Sequence, residues 1–409
     1  MTALQKINTV SKETFLGLVM QKVRHFQPFL EREENLKLLE ALRGSISREI
    51  EWGDAQAARQ EALQKRAMVS CSYCELKEIH DELNSLEMES FLKLQSVPSL
   101  HKNCTEYRDI LAGRALELVE QELKEAGRTA PLLSYALISM GSDGREEQTL
   151  ITDQDYLLVY DDGGGERADA YFKEFADLLV DRLEEIGFKK CTGDIMPSNP
   201  TWRGSLGQWN KRLLAIVRYE FEDYGKNLMD LIVLSDARYV AGDKSLATAL
   251  IDHIRALEQD YFQVLWGMAK AATEMKLALG FLKRLWTEGS GEHKGELNLK
   301  LLAWAPLVMN IRILAINQGV PASSTLQRIE FLQREGSFSA SMASGLVDAY
   351  HILTKHRILL QVKVIKGILK DSYYLNPYEL PADERERIRH ALLLIEDLQK
   401  TIHANFHIV

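Results

Sequence analysis

The sequence predicts an α+β protein: a mainly helical chain with a small α/β core and a C-terminal helical bundle domain. Three observations carry this reading. Apolar residues recur at threes and fours over most of the 409 residues. Between about residues 130 and 243 that period gives way to short apolar runs that end in turn residues. Glycine and proline, at 25 and 9, are few enough to leave long helices uninterrupted.

Composition bounds the function classes. With 46% hydrophobic and 27% charged residues the chain is ordinary globular material, long enough for two or three domains with their own cores. Disordered, collagen-like and low-complexity chains are excluded. Fifty Lys and Arg stand against 59 Asp and Glu, a net charge of −9. That balance argues against a chain held on nucleic acid by phosphate neutralisation, so nucleic acid is not an expected partner. No stretch approaches 18 consecutive apolar residues, and the opening MTALQKINTVSKETF lacks the apolar core of a secretory signal. Four cysteines are too few for a disulfide scaffold. The expectation is a cytoplasmic, reduced protein with no membrane partner.

Residues 1–125 read as an N-terminal helical region, with Phe15, Leu18, Val19 and Val23 on one helical stripe and Pro28 the one proline of the first 97 residues. From Ser47, SREIEWGDAQAARQEALQKRA is dense in helix formers with a solvated face. Residues 126–245 form the α/β segment. LLSYALISMGS and TDQDYLLVYDD are strand candidates, followed by Gly163-Gly164-Gly165 and an amphipathic helix over 166–186 that Gly187 closes. FKKCT is a third strand candidate, and NLMDLIVLSD (227–236) a fourth. From 246 to 409 the helical period returns, in 250–286, 299–318, 324–334, 341–370 and 382–403. GSGEHKG, Gly319-Val320-Pro321, Gly336 and Asn376-Pro377 punctuate it. An all-helical bundle fits that pattern.

The chemistry concentrates in SMGSDGREEQTLITDQDYLLVY (139–160). Gly141-Ser142 ends a strand, and after a ten-residue spacer Asp153 and Asp155 open the next one. Strand side chains alternate, so both carboxylates project from one face. Neighbouring carboxylates repel unless a cation sits between them, and Mg²⁺ favours a few carboxylates completed by substrate phosphate oxygens. A nucleoside triphosphate supplies those oxygens. Gly141 allows a close backbone approach to phosphate, Ser142 adds a hydroxyl, and Arg145 is spaced to reach a β- or γ-phosphate.

With these residues the segment resembles the DNA polymerase β-like nucleotidyltransferase superfamily. That pattern is a hydrophobic residue, Gly-Gly or Gly-Ser, a spacer, then D-x-D or D-x-E. Within it, GSDGREEQTLITDQD resembles a bacterial family of nucleotidyltransferases, often linked to CBS or cyclic-nucleotide-binding domains and related to PII uridylyltransferases. CTGDIMPSNPTW, DARYVAGD (236–243), LNLKLLAWAPLVMNIRILAINQGVPASSTLQRIEFL (297–332) and LVDAYHILTKHRILLQ (346–361) extend the likeness over about residues 100–400. The resemblance implies a polymerase β-like α/β core at 126–245 and a substrate-binding helical domain at 246–409. It makes Gly141 and Ser142 the phosphate-binding turn, and Asp153 and Asp155 catalytic metal ligands. A third carboxylate is expected on a neighbouring strand; Asp236 is the choice, with Asp230 and Asp194 as alternatives. The implied activity is transfer of a nucleoside monophosphate from UTP or ATP to an acceptor hydroxyl. Two Mg²⁺ ions, or Mn²⁺, would assist, and a PII-like signalling protein is an implied acceptor. A rival reading is a non-catalytic nucleotide sensor, another a nucleotidyltransferase acting on a small molecule. A homodimer is a further expectation.

Other features carry less. Cys71-Ser72-Tyr73-Cys74 lacks a second ligand pair spaced for zinc. Trp202 and Trp209 could stack on a base or anchor their loop. Lys300, Arg312, Arg328 and Arg357 lie among apolar helical positions, and Lys300 and Arg328 are the two expected to hold nucleotide.

Overall fold

The computed structural model describes residues 31–218 and 224–408. The helical stripe expected through Phe15, Leu18, Val19 and Val23 lies outside the described residues. The chain divides into two units, Met1–Lys65 and Arg66–Val409. In the first, residues 32–65 belong to one long helix, α1 (Arg32–Val69), which opens with Glu33 and Glu34 at its positive end. The charge run from Ser47 lies on it, as expected of a solvated face.

The second unit starts with α2 (Tyr73–Leu94) and α3 (Val97–Glu125). Ser72 caps α2 by accepting from the Glu75 N–H, and Ser96 caps α3 with Pro98 in its first turn. Then follow β1 (Tyr135–Ser139), the single helical turn α4 (Gly141–Gly144), β2 (Asp153–Gln154), β3 (Tyr156–Tyr160) and α5 (Gly165–Ile186). Gly187 ends α5 at φ +124°, as its position predicts. Both α2 and α3 pack on α5, burying Leu76, Ile79, Leu83, Tyr107 and Leu111. Residues 66–125 thus belong to the same body as the α/β core.

That core continues through β4 (Lys189–Lys190), a 3₁₀ turn (Pro200–Trp202), β5 (Arg203–Ser205), α6 (Leu206–Val217), α7 (Tyr224–Leu234) and β6 (Arg238–Gly242). The four-stranded sheet runs β5-β3-β1-β6, with β1 antiparallel to both β3 and β6, and β3 parallel to β5. Every residue of β3 is buried, which accounts for the unbroken YLLVY. The two tryptophans beside it anchor the loop. Both are buried, and the Trp209 ring N–H donates to the Leu158 carbonyl at 3.2 Å.

One strand assignment is corrected. Residues 224–234 are helical, and the strand is 238–242, within DARYVAGD. An apolar run of this length fits a buried helix turn as well as a strand. Aromatic Tyr239 and β-branched Val240 supply the strand instead, with Tyr239 opposite Ile138 of β1.

The helical bundle comprises α8 (Lys244–Asp260), α9 (Phe262–Thr273), α10 (Ala305–Asn317), α11 (Thr325–Arg334), α12 (Ala340–Ile365) and α13 (Ala382–Asn405). Pro306 to Ile316 is buried on every side, with α8, α9, α11 and α13 around it. Lys300–Asn317 is apolar and long enough to cross a membrane, yet 72% of that window lies inside the fold. The long helix expected over 250–286 instead stops at Thr273. The following segment is pinned as loop, with the Ala278 N–H donating to the Leu302 carbonyl at 2.9 Å. That carbonyl is free because Pro306, four residues on, has no N–H to offer it. The same missing donor loosens the helix start into a π-helix at Lys300–Trp304, entered from β7 (Leu297–Asn298). Asn298 caps it by accepting from the Leu301 N–H at 2.8 Å. β7 pairs with β8 (Tyr374–Leu375), which brings Tyr373 against Lys300.

Candidate functional site

The site forms where β1 turns into α4 beside β2. Gly141 adopts φ +59°, a conformation that costs other residues strain. An added Cβ there would lie 2.6 Å from the Asp155 carboxylate, so turn and acid are in contact. The Met140 N–H donates to the Asp155 carbonyl at 2.8 Å, fixing the register of the two segments. Gln154 is fully buried, its side-chain amide donating to the Val180 and Phe188 carbonyls. With Gln154 anchored inward, Asp153 and Asp155 face the other way, and Asp153 is exposed.

Gly141→Ala is expected to cost about 1–3 kcal/mol of backbone strain and to push Asp155 from its place. Transfer should fall at least about tenfold in kcat/KM while the circular dichroism spectrum is retained. Steady-state kinetics beside a thermal melt checks this.

The electrostatics mark the acid pair. Desolvation raises the Asp155 carboxyl to about 6; the Cys191 thiol opposes that, and the nearby Asp153 and Asp143 carboxylates add to it. Desolvation also raises Asp153, against the pull of Lys300 and Lys189. A cation between the two would relieve both effects. Among the described residues no three His, Cys, Asp or Glu side chains converge on one metal position. The donor set is therefore two carboxylates, to be completed by ligand oxygens and water, which suits Mg²⁺ better than a metal needing an all-protein cage.

The rest of the expected constellation separates. Asp236 is fully buried, and its carboxylate is taken by three guanidiniums. Arg145 Nη1 donates at 2.5 Å, Arg328 Nη1 at 3.0 Å and Arg312 Nε at 3.1 Å, with a second Arg312 contact to Oδ2. Burial would raise this acid, but Arg312, Arg145 and Arg328 hold it below the usual carboxylate range. No lone pair remains aimed at the Gly-Ser turn, so Asp236 is corrected from metal ligand to ion-pair centre. Arg145 also binds Glu147 at 2.9 Å, and Glu147 accepts from the Thr325 N–H at 2.7 Å. Arg328 also donates through Nε to the Ala322 carbonyl and through Nη2 to the Ser235 carbonyl. Arg145 and Arg328, expected to hold nucleotide, are both tied to the Asp236 carboxylate in the structure. Asp230 lies on α7, so its expected strand face does not exist. Asp194 binds the Asn199 amide at 2.9 Å.

Lys300 remains at the site. It is close enough to Asp153 to lower its pKa, and its ammonium sits 4.7 Å over the Tyr373 ring.

Sequence reasoning missed Arg238 and Asp143. Arg238 grips both Asp109 oxygens at 2.7 and 2.9 Å, and its Nη2 donates to Asp143 Oδ1 at 2.8 Å. Since Asp143 lies in α4, β6 clamps the turn directly. The D-x-R spacing at 236–238 was the available signal.

Cys71 and Cys74 are both exposed beside the α2 N-terminus, and Cys104 is buried apart from them. The family model described as "Putative nucleotidyltransferase DUF294" matches residues 81–222, and that described as "Putative nucleotidyltransferase substrate binding domain" matches 262–406. Together they span more than half of the chain. No curated protein matches it.

Proposed function

Since the chain belongs to this family of nucleotidyltransferases, we propose that it transfers a nucleoside monophosphate from a nucleoside triphosphate to an acceptor hydroxyl, with Mg²⁺ as cofactor. The observation that carries the reading is the contact between the left-handed Gly141 turn and Asp155, with Asp153 on the same face. A glycine-only turn pressed against paired carboxylates leaves room for a ligand to approach the backbone closely.

Asp153 and Asp155 would hold the ion, with phosphate oxygens and water completing its shell. A second ion, if bound, takes its further donors from the triphosphate. Bound there, Mg²⁺ neutralises charge on the phosphates. The chain's own part is positioning and proton handling. The first N–H groups of α4 have no partner behind them and face the anion with the Ser142 hydroxyl. The acceptor oxygen bonds to the α-phosphorus, the bond from that phosphorus to the bridging β-phosphate oxygen breaks, and pyrophosphate leaves. The hydroxyl proton passes to Asp155, the carboxylate in contact with the Gly141 turn. Lys300, beside Asp153, offsets the negative charge gathered at the site.

The acceptor follows the resemblance to PII uridylyltransferases: a hydroxyl on a PII-like signalling protein, with UTP or ATP as donor. Incubating the full chain with each labelled nucleoside triphosphate, Mg²⁺ or Mn²⁺, and such an acceptor should release pyrophosphate and label the protein. Label on a metabolite would move the acceptor class. Tight nucleotide binding with no pyrophosphate from any donor would favour the sensor reading.

A further inference from the structure

Of the four cations singled out among apolar helical positions, Lys300, Arg312, Arg328 and Arg357, two have no anion. Arg312 and Arg328 are consumed by Asp236. Lys300 and Arg357, among the described residues, make neither an ion pair nor a hydrogen bond; each rests on an aromatic ring instead. The Arg357 guanidinium stacks 3.9 Å from the centre of the Trp304 ring, and the Lys300 ammonium lies over Tyr373. The two rings close one patch. Lys300 and Trp304 are the ends of the π-helix, and Tyr373 is near enough to act on the charge of Arg357. Lys300 in turn acts on Asp153.

Arg357 is half-buried, and a guanidinium partly withdrawn from water with no anion beside it favours a ligand that supplies one. Burial lowers the Arg357 pKa to about 10, so the cation persists at neutral pH but is poorly compensated: Tyr350, Glu147 and Tyr373 support it and Arg145 opposes it. Stacking on Trp304 removes rotamer freedom and leaves the in-plane N–H fork open, the arrangement that binds a phosphate through two donors.

Resting on the nucleotidyltransferase reading, we propose that Arg357, carried on Trp304 and paired with Lys300, binds the terminal phosphates of the nucleoside triphosphate and the pyrophosphate that leaves. It fills the role that its spacing had suggested for Arg145. The ligand chemistry is a di- or triphosphate tail; nucleoside monophosphate, which lacks that tail, does not engage it.

The test uses the full chain and two variants. Arg357→Met keeps the aliphatic stem on Trp304 and deletes the charge; Arg357→Lys keeps the charge and loses the fork. Equilibrium binding is measured for nucleoside triphosphate, inorganic pyrophosphate and nucleoside monophosphate, with Mg²⁺ present. The methionine variant should bind triphosphate and pyrophosphate about 10- to 100-fold more weakly, with monophosphate within about twofold and the lysine variant intermediate. If wild-type protein binds triphosphate and pyrophosphate and the methionine variant does so equally well, the assignment is overturned alone. Equal losses for all three ligands would also overturn it, because they indicate a packing role. Wild-type protein that binds neither phosphate ligand overturns this assignment together with the functional reading beneath it.

Discussion

Asp155→Asn is expected to abolish nucleotidyl transfer, by at least about a thousandfold in kcat, which is about 4 kcal/mol of barrier, while the protein melts at the same temperature or higher. The two halves of this result have one cause. In the metal-free protein the Asp155 carboxyl is raised to about 6 by desolvation, with Asp153 and Asp143 beside it adding like charge. A group whose folded pKa is raised stabilises the fold fully only below its unfolded value near 4; that contribution is lost as pH rises through about 6. At neutral pH the ionised side chain is therefore a destabilising element, and a neutral amide of equal size removes the repulsion. What the amide cannot do is give a divalent ion an anionic donor or accept the acceptor's proton. Kinetics with Mg²⁺ and a melt without it, on the same preparation, check both halves. An active Asp155→Asn protein would remove the basis for the site; an inactive one that unfolds early would make Asp155 a structural acid.

Much of this site is legible because its code is local. Alternation in TDQDYLLVY puts Gln154 inside and both aspartates outside, and the strand period alone shows it. Gly141-Ser142 reads as a turn for the same reason: one residue's conformational demand is visible at that residue. Legibility fails where meaning depends on a partner far along the chain. Arg145 and Asp236 both look like active-site groups by spacing, yet they satisfy one another at a sequence separation of 91, joined by guanidiniums from α10 and α11. Nothing local separates the consumed Arg312 from the uncommitted Arg357, since both lie among apolar helical neighbours. The strand misplaced at 227–236 has a related origin, because an apolar run records burial without recording backbone shape. One missed feature was readable. Pro306 inside an apolar helix announces a lost hydrogen bond four residues earlier, and the π-helix that carries Lys300 and Trp304 forms there.

Asp236→Asn should be the most destabilising conservative substitution in the α/β core, costing about 3–5 kcal/mol and lowering the melting temperature by about 4–7 °C for a unit of this size. The carboxylate is the single negative group shared by Arg145, Arg312 and Arg328. An amide leaves three buried guanidiniums with one weak acceptor and sets an amide N–H against their donors. The pH dependence follows from the sign of the shift. The three guanidiniums hold Asp236 below its usual range despite burial, so its contribution is present above the unfolded value near 4 and fades as pH falls through the lower folded value. Wild type and variant should thus differ most in denaturant midpoint near neutrality and converge in acid. The turn should loosen as well. Arg145 ends the α4 turn, and a Cβ on Gly144 would fall 2.0 Å from the Asp236 carbonyl, so this residue braces the turn from beneath while Arg238 braces it through Asp143. A variant that keeps its fold at low temperature should therefore show a raised KM for nucleotide as well as a lower melting point. An Asp236→Asn protein as stable as wild type would mean that the three arginines find other partners and that the clamp is not what holds Gly141 against Asp155.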